Sequence, residues 1–560
     1  MVKRILGIFH KEISGLHQAA YLLGFFALCS QILALVRDRI LASQFGATST
    51  LDLYYAAFRI PDFIFITVGS MVSVSVLIPF IIERSQKDGD GGKKFISNIF
   101  SFFFLFIVAT CAVVFFFVPS LCKYLFPGFD PSNLSQVISL TRVLLLSPIF
   151  LGLSNIFGTL TQARKRFFLF ALSPIFYNLA IIAGIIYLYP KFGLIGLVYG
   201  VILGAFFHFA IQIPFVIQHG ICPKFEFKYN WSDIKKVLFI SVPRTFTLGS
   251  DNISMMFLIS FASLMTAGSI AVFNFSFNLQ SVPLTIIGVS YSLAAFPILI
   301  QTYLSGDLKK FTEQMINSAR HIIFWSVPIV TLFIVLRAQI VRTILGAGHF
   351  NWYNTRLTAA ALAIFAASII FQNLTLLFVR AYYAAGNTKK PLIAKGINAL
   401  FTVALGYGFM VLYTKSPLFK DIMETALRVK DIPGTIILTL PLGWSIGEFF
   451  NMVVLWTLFQ KDFKGFSKKV MKTFFQIFTA SSVMGFVAYN LLNIFDKVFD
   501  LDTMLGIFMQ GFLAGLGGIF AGVLVLCLFK NEELKDVWNT LHKKIFKPET
   551  SVIGPDAEMQ

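Results

Sequence analysis

The chain has 560 residues, 57% of them hydrophobic and 13% charged, whereas soluble domains run near half apolar and about one quarter charged. An ordinary cytosolic enzyme is thereby excluded. Lys and Arg number 46 against 27 Asp and Glu, a net charge of +19, which in so apolar a chain points to basic loops on one membrane face before nucleic-acid binding. The five cysteines, Cys29, Cys111, Cys122, Cys222 and Cys527, form no CxxC pair and no metal-like spacing with histidine. They read as small packing residues.

In chain order, Met1 to Glu12 is a short basic amphipathic stretch. Val2, Ile5, Leu6 and Phe9 share an apolar face while Lys3, Arg4 and Lys11 suit anionic head groups. A membrane-spanning helix needs roughly 20 mostly apolar residues, and about fourteen such segments follow. The first six lie near 16–36, 51–83, 95–119, 136–160, 168–189 and 193–217. Six more lie near 236–265, 270–301, 315–337, 357–384, 391–414 and 433–459, and two complete the set near 470–493 and 503–529. The first segment lacks a cleavage-site pattern, so no signal peptide is expected. After Asn531 the chain turns polar, with Val537, Trp538, Leu541 and Ile545 spaced for an interfacial helix.

Alternate loops are basic: Arg84, Lys87, Lys93 and Lys94, then Arg164 to Arg166, then Lys224, Lys228, Lys235 and Lys236. Lys309, Lys310, Lys389, Lys390 and the run from Lys461 to Lys472 continue the pattern, which places these loops and both termini in the cytoplasm. A weak repeat at a spacing of roughly 220 residues pairs Gly69 through Pro79 with Gly288 through Pro297, and Ala163–Arg166 with Ala385–Lys390. The expected architecture is an all-α integral membrane protein of two six-helix lobes in a parallel, pseudo-twofold repeat around a central cavity, plus two C-terminal helices. Its divisions are a cytoplasmic amphipathic N-terminus (1–14), a first lobe (15–220), a second lobe (221–462), the last two helices (463–530) and a cytoplasmic tail (531–560).

Charged side chains inside apolar segments are costly unless paired or wet, so each is a functional candidate. Arg37, Asp38 and Arg39 end the first segment, and Asp52, Arg59 and Asp62 occupy roughly one side of the second. Such a stripe is either a structural ion-pair network or the wall of a hydrated cavity. In the seventh segment Pro243-Arg244 and Ser250-Asp251-Asn252 interrupt an apolar helix. Arg37, Arg59 and Arg244 could converge on a central anion, for which arginine is suited by its permanent charge and paired donors. Arg142, Arg320, His321, Arg380, Lys395 and Glu448 are more isolated. Gly193, Gly196, Gly200 and Gly204 form a small-residue stripe for close helix packing. No phosphate-cradling loop, metal spacing or extramembrane stretch long enough for a nucleotide-binding domain is present in the sequence, so no cofactor is expected. Energy is expected from the membrane potential or a monovalent-cation gradient.

The run Ser30 to Ala42, with Val36-Arg37-Asp38-Arg39, followed by Phe45-Gly46-Ala47 and by Asp52 through Arg59-Ile60-Pro61, resembles the MurJ (MviN) family of lipid II flippases, relatives of MATE exporters and polysaccharide flippases. The resemblance implies fourteen helices and movement of an undecaprenyl-pyrophosphate-linked peptidoglycan precursor across the cytoplasmic membrane of a bacterium by alternating access, for cell-wall biogenesis. It implies that Arg37, Asp38 and Asp52 match family positions, with cavity arginines holding the pyrophosphate. It also implies departures: an earlier arginine of the first helix falls on Gln31, an Arg-Arg and Glu of the second fall near Phe65, Ile66 and Ser70, and an arginine of the eighth falls near Asn278. Arg59 and Arg244 are candidates to compensate. The expected substrate-binding set is Arg37, Asp38, Asp52, Arg59 and Arg244, supported by Gln31, Arg39, Asp62, Asp251, Asn252 and Asn278. Partners would be the lipid-linked precursor and membrane lipids, with a monomer expected, alone or beside cell-wall synthesis machinery. Competing readings are a flippase for another polyprenyl-linked saccharide, a MATE-like ion-coupled exporter, and a pseudo-transporter acting as a scaffold.

Overall fold

The computed structural model describes residues 16–72, 77–78, 80–81, 83–84, 92–164 and 167–546. The amphipathic stretch 1–14 lies outside them. The described residues are 86% helix, with no strand among them, as lipid requires of a backbone that must satisfy its own hydrogen bonds. The helices of the first half are α1 (Leu16–Phe45), α2 (Ser49–Ala57), α3 (Arg59–Thr67), α4 (Lys93–Leu125), α5 (Pro131–Leu144), α6 (Leu146–Ala163), α7 (Phe167–Ala183) and α8 (Leu194–Ala210). Those of the second are α9 (Trp231–Ser263), α10 (Ser269–Pro283), α11 (Ser290–Leu304), α12 (Leu308–Val335), α13 (Arg337–Leu345), α14 (Trp352–Ala384), α15 (Lys389–Lys415), α16 (Pro417–Leu427) and α17 (Thr439–Asp462). The chain closes with α18 (Phe466–Phe495), α19 (Met504–Leu528) and α20 (Glu532–Phe546).

Helix starts follow local chemistry. Asp130 caps α5 by accepting from the Asn133 amide at 2.8 Å, with Pro131 next in line, and Asn351 caps α14 by accepting from the Asn354 amide at 2.9 Å. Such caps satisfy amides that the helix itself leaves open. Among the described residues, 11 helical segments are long and apolar enough to cross a membrane. Three others, α1, the α2–α3 pair and α9, carry the charge clusters at Arg37–Arg39, Asp52–Asp62 and Arg244–Asp251.

Three buried apolar clusters define the architecture. One draws on both halves of the chain, joining Leu41, Leu51, Tyr54, Phe126 and Val198 to Leu258, Ile270, Phe273, Phe350 and Trp444. A second lies wholly within residues 72–237, and a third wholly within 295–526. The halves are thus fused at one end and hold separate cores at the other. The last two membrane helices, α18 and α19, pack on each other, with α18 against α12 of the second half. Helix α9 bridges the division: Ile234 and Val237 pack in the first half's separate core, while Met255, Leu258 and Ile259 pack in the shared one.

The paired glycines of the repeat lie at paired irregularities. The backbone tightens to a 3₁₀ turn at Gly69–Val72 and widens to a π turn at Leu284–Val289, which contains Gly288. Kinks in long helices arise at such points. The stripe on α8 packs as expected, since a Cβ on Gly184 would stand 2.5 Å from the Gly200 Cα. Nothing larger than hydrogen fits there.

The tail helix α20 is docked by charge. Glu533, buried, and Glu532, exposed, both bond Arg320 of α12, and the Thr473 hydroxyl of α18 donates to Glu533 at 3.1 Å. Leu534 and Val537 pack on the second half's core, while Trp538 is exposed. The side chains of Leu541 and Ile545 lie outside the described residues. Arg320 holds the Glu532 carboxyl below its ordinary pKa. A carboxyl so lowered adds stability above its unfolded pKa and loses it as pH falls through the folded value. Trypsin should therefore cut near Lys535 faster at pH 4 than at pH 7 in wild type, after correction for protease activity, and fast at both in Arg320→Ala.

Candidate functional site: a cavity between the two halves

Beside the shared core, between the two halves, is a cavity of about 460 Å³. The first half contributes Arg37, Tyr54, Tyr55, Arg59, Asp62 and Tyr177, and the second Asp251, Asn252, Asn274, Asn278, Gln372 and Trp444. Arg37 on α1 is held from two sides. Its Nε and Nη2 donate to Asp38 Oδ1 at 3.0 and 2.8 Å, and its Nη1 donates to Asn178 Oδ1 at 3.3 Å. Asp38, itself buried, accepts from Asn278 Nδ2 at 2.9 Å through its other oxygen. Arg59 Nη2 donates to Asn274 Oδ1 at 2.6 Å. Asn274 and Asn278 are one turn apart on α10, so a single helix face of the second half meets both arginines' neighbourhoods in the first.

Several donors at this wall are unused. Arg59 Nε, Tyr55 Oη and Trp444 Nε1 are buried without a protein partner, a condition that folded proteins rarely leave unanswered. All three can donate to an oxyanion or a sugar oxygen. Asp62 is exposed to the cavity and no carboxylate is within bonding distance of Arg59 among the described residues.

The second half supplies a buried ionic cluster. Both Asp251 oxygens accept from Lys395 Nζ at 2.8 Å, and Glu448 Oε1 lies 3.6 Å from the same ammonium. Asn398 donates to Glu448 at 3.2 Å, while Glu448 Oε2 has no partner. Only Asp251 reaches the cavity; the side chains of Lys395 and Glu448 are 10% and 3% exposed.

One expected substrate ligand, Asp52, and one expected supporting residue, Arg39, are used elsewhere. Asp52 lies off the cavity and accepts from the Gly268 and Ala271 amides at 2.6 and 2.8 Å, so it caps the start of α10 from the other half. Arg39 also points away, donating from Nη1 to the Thr343 and Ile344 carbonyls at 2.6 and 3.1 Å, at the C-terminal end of α13. Both contacts put a charge where a helix end attracts it. Gln31 is half-buried on α1 outside the cavity lining. The side chain of Arg244 lies outside the described residues, so the expected convergence of three arginines is seen for Arg37 and Arg59 alone. Arg37 is neutralised by Asp38 and Asp251 by Lys395, and the cavity is therefore less cationic than the count of arginines implied. Asn274, Tyr177, Gln372 and Trp444 were not foreseen; neutral polar residues in apolar helices carry too weak a signal. Lys395 and Glu448 were visible as isolated charges, but their partnership crosses three helices.

Two consequences are measurable. Asp52→Ala removes two bonds to a charged acceptor and should destabilise the protein by about 2 kcal/mol, read as a lower thermal midpoint in detergent. Lys395→Met should cost about 3 kcal/mol by stranding the buried Glu448 carboxylate, and a second change, Glu448→Gln, should restore part of that loss.

The family model described as lipid II flippase MurJ matches residues 41–509. A Thermotoga maritima protein named probable lipid II flippase MurJ is 26% identical over 524 residues, covering 92% of this chain and 97% of that one. A Buchnera aphidicola protein (subsp. Schizaphis graminum, strain Sg) of the same name is 25% identical over 501 residues, covering 86% and 93%. Among solved structures, lipid II flippase MurJ in an inward closed conformation superposes with TM-score 0.71 at 24% identity, covering 92% of this chain and 100% of that chain. An inward-facing MATE multidrug transporter of the MOP superfamily follows at TM-score 0.62 and 16% identity, covering 79% and 94%. With the family model matching 469 consecutive residues and the fold shared with a solved member, this chain belongs to the MurJ family of lipid II flippases.

Proposed function

We propose that this protein is a transporter that moves lipid II, the undecaprenyl-pyrophosphate-linked peptidoglycan precursor, from the inner to the outer leaflet of a bacterial cytoplasmic membrane. The observation that carries the reading is the cavity between the halves, where Arg37, Arg59, Tyr55 and Trp444 present guanidinium and unused donor groups to one space. Oxyanions and sugar hydroxyls are what such donors bind. The apolar helices around it suit a polyprenyl tail, which gains stability from staying in hydrocarbon.

Fusion of the halves at one end and separate cores at the other supports alternating access by rocking about the shared core. The basic loops, including Lys93, Lys94, Lys224, Lys309, Lys310, Lys389 and Lys390, gather at the end with separate cores, which the positive-inside rule assigns to the cytoplasm together with both termini. On this reading α1, α2–α3 and α9 also cross the membrane, their charges facing the cavity, the far lobe or a helix end, and the total is about fourteen. We further infer that a monomer works by coupling to the membrane potential or a monovalent cation. The Asp251–Lys395–Glu448 cluster, buried in one half and touching the cavity through Asp251, supports that coupling. A different polyprenyl-linked head group is favoured to the extent that Gln31 and Asn278 are neutral where the family resemblance implies arginine.

The test is growth of cells depleted of their own MurJ, at matched membrane expression. Wild type should support growth, and Arg37→Ala and Arg59→Ala should each fail or grow at least tenfold more weakly in plating efficiency. Absence of growth from folded, membrane-inserted wild type would reject lipid II as cargo in that host.

A further inference from the structure

A second cavity, of about 520 Å³, opens at the fused end, remote from the ends of the basic loops. It is formed where α13, the start of α14, the turn after α16 and the facing ends of α18 and α19 meet, and three arginines, Arg337, Arg356 and Arg428, line it. Their situations differ. Arg356 is spent: it bonds both oxygens of Asp431 at 2.6 and 2.7 Å and also donates to the Arg428 carbonyl at 2.7 Å. Arg337 donates only to backbone carbonyls, those of Ile334 at 3.1 Å and Leu427 at 3.4 Å. Arg428 Nη2 donates to the Tyr489 hydroxyl at 2.9 Å, its guanidinium 5.7 Å from that ring's centre. Neither Arg337 nor Arg428 has a carboxylate partner among the described residues.

The other charges nearby do not cancel this pair. Asp431 is occupied by Arg356, and Glu424 on α16 accepts from Tyr413 and Thr435, both at 2.6 Å. Asp496 lines the cavity and supplies a single negative charge against two guanidinium groups that have no carboxylate partner among the described residues. Burial, with Arg428 as a second cause, lowers the Arg337 pKa below its ordinary value. Two guanidinium groups lining one cavity repel, and a bound oxyanion offsets the repulsion.

The backbone gives an independent sign. Arg428 ends α16 with φ +61°, in the left-handed region. Glycine or asparagine is the inexpensive occupant of that position, and a long side chain there costs free energy. Arg356 clamps the carbonyl of this same residue. Arg428 thus holds a position suited to glycine while its side chain lines the cavity.

We propose that this cavity is a binding site for a phosphate-type oxyanion, held between Arg337 and Arg428, with Trp352 and Tyr489 as flat walls for a sugar attached to it. Such walls are apolar faces with a polar edge, suited to saccharide rings. The site is distinct from the cavity between the halves and stands whether or not that cavity carries lipid II. The anion could arrive dissolved in water or as the head group of a membrane lipid, and both share the same chemistry.

The experiment uses the full chain in nanodiscs of zwitterionic lipid, with inorganic pyrophosphate as the probe and calorimetry as the readout. In an Arg37→Gln, Arg59→Gln background, which disarms the central cavity, one equivalent should still bind. Arg428→Gly in that background should weaken binding about tenfold, the equivalent of one charge-assisted contact, with a thermal midpoint no lower because glycine relieves the backbone. Arg337→Gln should weaken it by a similar factor. Binding unchanged by Arg428→Gly, or abolished already by the central pair, would overturn the proposal. Repeating the titration with phosphatidylglycerol in the disc separates the sources: weaker pyrophosphate binding supports a lipid head group in the pocket, and unchanged binding supports a soluble anion.

Discussion

The structure depends on the junction at which two halves of the chain share one core. Hydrocarbon surrounds both lobes, so burial of apolar surface between them gains little over contact with lipid, and cohesion must come from close packing and polar contacts. Asp52 supplies the most demanding of these. Its carboxylate, on the first half's α2, accepts two amides at the start of the second half's α10. Beside it Gly268 has φ +90°, and a Cβ there would stand 2.1 Å from the Ala47 carbonyl oxygen. A glycine and an acid thus let two backbones meet where side chains would hold them apart. Arg39, bonded to the carbonyl end of α13, makes a second charge-to-helix-end contact across the same junction.

The cavity inherits its character from this geometry. Next to the shared core, α1 and α3 of one half face α10 and α9 of the other, and their polar residues meet pairwise: Asp38 with Asn278, Arg59 with Asn274. These contacts join neutral amides to charged groups across the division between lobes. An amide can release an arginine at less cost than a carboxylate can, because no buried charge is left unpaired. Arg59, held by an amide and retaining an unused Nε donor, is thereby closer to a ligand-ready state than Arg37, whose charge is already matched by Asp38.

A division of labour follows among the charged residues. Those at the junction hold helix ends together, those at the cavity wall face a space that can take a polar group, and the Asp251–Lys395–Glu448 cluster sits behind that wall in one lobe. Farther off, Arg320 with Glu532 and Glu533 fastens the tail helix, and Arg356 with Asp431 fixes the turn that carries Arg428. The same residue types do structural and binding work in one chain. Only the partner of each tells which.

Much of this architecture was legible in the sequence, because a spanning helix announces itself by the length of its apolar run, and lobe pairing by recurrence of Gly69 and Gly288 at matching places. The family was legible from the run around Arg37-Asp38-Arg39 and Asp52 through Pro61. The density of charge in the first two segments also marked them as something other than lipid-facing surface. What the sequence alone could not decide was direction. Arg37 and Arg39 are two residues apart, yet on a helix that spacing turns them roughly 200° from each other, so one faces the cavity while the other reaches the end of α13. Asp52 and Asp62 look alike in sequence, and one caps a helix while the other is exposed in the cavity. Tertiary structure settled these roles, since whether a charge serves as a strut or a ligand depends on which distant backbone or side chain is brought within about 3 Å of it.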